Sequence, residues 1–137
     1  MARHSAYRSY MRRMAVTSVA YVAAIFAAAS LIPHDAAPTP LSVAIALVPG
    51  LAILGIIWAI GRLLFELDDE YLRMLEVRKL IVATGLLLAL ASVWGLLELF
   101  TTVPRVPVFF AFPVWCIGLG AGQLYNRLTI GDGGGCV

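Results

Sequence analysis

Charge is all but absent from four long stretches of the chain, residues 14–32, 41–61, 80–100 and 106–126, and concentrated between them. A helix needs about 20 apolar residues to cross a hydrocarbon core of about 30 Å, and its backbone groups must be satisfied internally there. Each stretch meets that length. Of the eighteen formal charges, only Glu98 falls inside one of them. The pattern predicts an all-α membrane protein with four transmembrane helices in an antiparallel up-down bundle.

Two of the connections carry paired prolines: residues 34–40 contain Pro38 and Pro40, and residues 101–107 contain Pro104 and Pro107. Proline lacks an amide donor and pushes its predecessor toward extended backbone, so both segments are expected to be loops that stop the preceding helix. The middle connection, residues 62–79, contains neither Gly nor Pro. Helix 2 is therefore expected to continue to about Glu66 and to turn at Leu67-Asp68-Asp69. Asp68 or Asp69 would cap helix 3, with Glu70 favoured by the positive helix N-terminus. Asp69 and Arg73 stand four apart, as a helical ion pair requires. Leu67, Tyr71, Met74 and Leu75 are expected to face the partner helix, and Arg73, Glu76 and Arg78 to face water.

Nine of the ten Lys and Arg residues lie before span 1, between spans 2 and 3, or after span 4; only Arg105 lies on the opposite side. Cytoplasmic loops carry the excess of Lys and Arg, so both termini are expected in the cytoplasm. The domain plan is a basic cytoplasmic segment 1–13, a membrane domain 14–126 with the cytoplasmic hairpin 62–79, and a tail 127–137 that is flexible by composition. Span 1, with Ala27-Ala28-Ala29 near its end, resembles a secretory signal and is read as a retained span.

Composition narrows the function classes. Hydrophobic residues make up 61% of the 137 residues and charged ones 13%, against roughly 25% charged in soluble domains. This excludes a water-soluble globular domain, a disordered chain and a nucleic-acid module. A net charge of +2 implies no polyanion partner. Cys116 and Cys136 are too few for a disulfide framework and lack metal-ligand spacing. Cys116, near the middle of span 4, reads as a packing residue.

Candidate chemistry is sparse. Glu98 is the single intramembrane acid, and such residues are functional candidates by default. It stands two residues from the end of span 3, where interfacial water and Arg105 across the loop are natural partners. Glu66, Asp68, Asp69, Glu70 and Glu76 are interleaved with Arg62, Arg73, Arg78 and Lys79, so a salt-bridged hairpin is expected in place of a carboxylate cage for a metal. Glu66, Asp68, Asp69 and Arg73 are the candidate docking surface for a soluble partner. His4 and His34 fall on opposite sides of the bundle, which leaves no axial pair for haem.

Small residues recur at the four-residue spacing that lets helices approach: Gly118 and Gly122, Gly85 and Ala89, Gly55 and Ala59. Pro49-Gly50 should kink helix 2 for packing, with a hinge or a lipid-sized groove as the alternative. Trp115, near mid-span, suggests a helix–helix or subunit contact. No catalytic motif, cofactor site or metal site is found.

The run Arg62-Leu63-Leu64-Phe65-Glu66-Leu67-Asp68-Asp69-Glu70-Tyr71-Leu72-Arg73, with Trp94-Gly95-Leu96-Leu97-Glu98 closing span 3, resembles a family of small uncharacterised bacterial inner-membrane proteins. Those have four spans, an E-L-D-[DE] turn after the second span and a W/Y-G-x-L-E ending to the third. The resemblance covers most of residues 12–127 and implies a multi-pass fold in the inner membrane, without adding chemistry; the Lys and Arg distribution sets the expected orientation as N-in and C-in. The expected function is non-enzymatic: helix association in the lipid bilayer, as a homo-oligomer or as a small accessory subunit alongside other membrane-protein subunits. The alternatives are a small homodimeric transporter and a lipid- or quinone-binding protein.

Overall fold

The computed structural model describes residues 2–33, 35 and 37–131, with side chains from Ser5 onward. His34, the side chain of His4 and tail residues 132–137 lie outside the described residues. Four long helices form: α1 (Ala2–Leu31), α2 (Pro40–Glu66), α3 (Glu70–Phe100) and α4 (Ala111–Ile130), the last preceded by a short 3₁₀ turn, Val108–Phe110. All four are long and apolar enough, by length and composition, to cross a membrane. The chain divides into two compact units, Met1–Asp68 and Asp69–Val137. Each contains one antiparallel helix pair and is described by itself.

The basic N-terminal segment is part of a helix. At 1.5 Å per residue, the 30 residues of α1 extend about 45 Å, so its first turns, carrying Arg8, Arg12 and Arg13, exceed a hydrocarbon core of about 30 Å. Pro33, one turn earlier than the Pro38–Pro40 pair, ends it. The helix closes at Leu31, because the residue before a proline is pushed out of the α region. Thr39 then caps α2: its side chain accepts the Ser42 amide, Ser42 Oγ accepts the Thr39 amide, and Pro40 fills the first helical position. Pro49 sits inside an uninterrupted α2.

The expected turn is present. α2 stops at Glu66, and Asp69 Oδ1 accepts the Tyr71 amide at 2.9 Å to cap α3. The inner stripe of α3, however, is rotated by one position from the expected one. Tyr71 and Met74 are exposed, whereas Leu72, Leu75, Glu76 and Ala83 are buried. Glu76, expected in water, is only 2% exposed and pairs with Lys79 Nζ. The reason is register: the face that meets α4 is set by Leu75, Lys79 and Ala83, and Leu72 and Glu76 lie on the same side of a 3.6-residue helix.

α4 begins later than residue 106 and ends later than 126. Residues 102–107 belong to no helix, and Gly131, at φ 79°, closes α4 by donating its amide to Arg127 O at 3.1 Å. Positive φ costs glycine nothing, so it is a natural stop. Pro113 stands in the first turn, where its missing donor leaves no broken bond.

Candidate functional site

Glycine positions fix how α3 and α4 meet. A Cβ added to Gly118 would lie 2.7 Å from Ala83 Cα, and one added to Gly122 would lie 2.8 Å from Lys79 O and 2.9 Å from Lys79 Cα. The neighbours are backbone atoms that cannot rotate away. One step further, the buried Asn126 donates Nδ2 to Leu75 O at 2.9 Å. Ala83 with Gly118, Lys79 with Gly122 and Leu75 with Asn126 thus form one antiparallel ladder of four-residue steps. Gly118 and Gly122 are therefore buried within the hairpin, where their spacing lets α3 and α4 approach. Gly85 is the reverse: nothing stands within 4 Å of its Cβ position, so it takes no part in packing α3 on α4.

At the next step of the ladder stand Leu87 and Val114, with no glycine to bring the backbones together, and a groove of about 400 Å³ opens. It runs toward the α3–α4 loop between Leu87, Leu90, Ala91 and Val114, and Glu98 is the one charged residue in its lining. Trp115 donates Nε1 to Thr84 Oγ1 at 3.2 Å, the helix–helix contact expected of that residue. At the loop side, Trp94 Nε1 donates to Pro104 O at 3.3 Å, and Glu98 Oε1 accepts the Val106 amide at 2.9 Å. Trp94 and Glu98 are four apart on α3, so one helix face ties down both halves of the loop. The expected Glu98–Arg105 pair does not form: among the described residues Arg105 is exposed and makes no ion pair. A backbone amide one residue away is nearer and is obliged to find an acceptor.

The first unit carries a separate charged cluster. Arg13 Nη1 lies 2.9 and 3.0 Å from the two oxygens of Glu66, while Arg62 Nη2 lies 3.1 Å from Oε1. The Arg13 guanidinium also sits 5.5 Å from the Trp58 ring centroid. Nearby, Thr17 Cγ2 would stand 3.0 Å from a Gly55 Cβ, and Ala59, four residues on, is fully buried. Glu66, offered as part of a docking hairpin, is thus engaged by α1. Asp68 is exposed, Asp69 serves as a cap, and Arg73 is exposed.

Asn126 is the residue that sequence reasoning missed. Its signal was present: Gly118, Gly122 and Asn126 continue one four-residue spacing, and a polar side chain on that stripe must face a neighbour. Cys116 is exposed, contrary to a packing role within the hairpin. No known protein family, characterised protein or solved structure matches the chain.

Proposed function

We propose that this chain is a non-enzymatic protein of the bacterial inner membrane, N-in and C-in, that works by helix association, as a homo-oligomer or as a small subunit of a larger membrane complex. One observation carries the reading. Of the most apolar window in each helix, only 0, 17, 6 and 11% is buried, in chain order. Few residues of these windows are fully buried, so much apolar helix surface is left for lipid or other helices. Helices in lipid gain little from hydrophobic transfer and associate where small residues permit close contact. Gly85 and Ala89, exposed on α3, provide such a place without disturbing the α3–α4 ladder. Glu98 holds the α3–α4 loop through Oε1, which favours a structural use of that oxygen over proton coupling.

The test is energy transfer between donor- and acceptor-labelled copies reconstituted in vesicles and diluted with increasing lipid. Self-association predicts transfer that falls on dilution and is weakened about tenfold or more by Gly85→Leu. A subunit role predicts a defined stoichiometric partner on purification from the native membrane. A monomer at every dilution that purifies without a partner overturns the reading.

A further inference from the structure

The groove between α3 and α4 has polar chemistry of one kind only. Its side-chain donor, Trp94 Nε1, is occupied by Pro104 O, and the Val106 amide is occupied by Glu98 Oε1. What remains is an acceptor: among the described residues, Glu98 Oε2 takes no hydrogen bond. A carboxylate beside an apolar groove is complemented by a cationic donor. A quinone carbonyl there would find no donor and would face a lone pair, and a headgroup without a cationic donor would leave the carboxylate uncompensated.

The rest of the groove states what must accompany that donor. About 400 Å³ lies within the roughly 300–1,000 Å³ of small-molecule sites. Leu87, Leu90, Ala91 and Val114 line it with hydrocarbon, set in membrane-spanning segments where the surrounding solvent is acyl chain. Glu98 and the Val106 amide, its polar end, lie at the loop, where headgroups begin, beside Trp94, a residue type that concentrates at that depth. The site is also held open: two hydrogen bonds hold the loop to α3, and the Gly95 Cβ position, on the groove wall, has nothing within 4 Å.

The geometry points to a binding site for a phospholipid with a primary-ammonium headgroup. One acyl chain lies along Leu87, Leu90, Ala91 and Val114, and the ammonium group donates to Glu98 Oε2. This goes beyond helix association and rests only on the membrane-spanning character of the four helices.

Native mass spectrometry of the full chain, released from detergent, tests it with three probes: phosphatidylethanolamine, phosphatidylglycerol of identical acyl chains, and tetraphenylphosphonium, an apolar cation without a donor. A charge-assisted hydrogen bond predicts at least about tenfold tighter retention of the ethanolamine lipid than of the glycerol lipid. Glu98→Gln should abolish the preference while leaving the Val106 amide protected from hydrogen exchange, because the Gln oxygen still accepts it. Gly95→Leu fills the groove from an open position and should remove binding of both lipids at this site. Equal retention of the two lipids, an unchanged preference in Glu98→Gln, or unchanged binding in Gly95→Leu overturns the proposal. So does tetraphenylphosphonium competing as well as the ethanolamine lipid, since charge without a donor would then suffice. Carbonate extraction of the membranes separates the two layers of the inference. A chain that resists extraction but shows no preference refutes the lipid site alone, and a chain released by carbonate refutes both.

Discussion

Gly118→Ala adds a single methyl group, yet the structure gives it nowhere to go. Non-bonded carbons rest about 3.5–4.0 Å apart, whereas the new Cβ would begin 2.7 Å from Ala83 Cα and 3.1 Å from both Ala83 Cβ and O. The helices must part locally by about 1 Å. That displacement reaches the same ladder's Asn126–Leu75 bond, 2.9 Å long, and carries it beyond useful length. Overpacking costs about 1–3 kcal/mol, and an interhelical hydrogen bond in a membrane about 0.6 kcal/mol on average, up to about 1.7. The expected loss is roughly 2–4 kcal/mol, or roughly 30- to 700-fold in the folding equilibrium. Reversible unfolding in mixed detergent–lipid micelles, followed by circular dichroism, measures it. Gly122→Ala should behave alike, since it meets Lys79 O and Cα. Gly85→Ala is the internal control: its Cβ meets nothing, so stability should hold or rise by up to about 1 kcal/mol through helix propensity. Equal behaviour of Gly118→Ala and Gly85→Ala would refute the ladder.

The Arg13–Glu66 contact is 28% and 24% exposed on its two sides, so a double-mutant cycle of Arg13→Gln with Glu66→Gln should give a coupling near the upper end of the 0.2–1 kcal/mol range of exposed pairs, about 1 kcal/mol; a coupling above about 2 kcal/mol would mean a desolvated pair. Reporter fusions should place the C-terminus in the cytoplasm and an insertion at Thr39 on the opposite face, and finding both on one side would remove a span from the topology.

The sequence by itself determined the four long apolar helices and the turn at Leu67–Asp69, because these follow from local physics. Lipid forbids unsatisfied backbone and charge, and an aspartate before a helix start satisfies a free amide wherever the chain goes afterward. It also held the Gly118–Gly122 spacing, but not what the glycines face. A four-residue stripe of small side chains fits a neighbouring helix of the same chain as well as one of another, and only the placement of Ala83 and Lys79 against them decided for the hairpin. The same holds for charge. Arg105 is the nearest basic residue to Glu98 in sequence, yet the carboxylate takes the Val106 amide, because the loop delivers that donor to α3. The inner face of α3, with Glu76 buried and Tyr71 exposed, depends on a rotation of one residue, about 100° about the helix axis. Hydrophobicity alone cannot fix such a rotation where lipid is as apolar as the core, so tertiary packing at backbone-contact distance decides it.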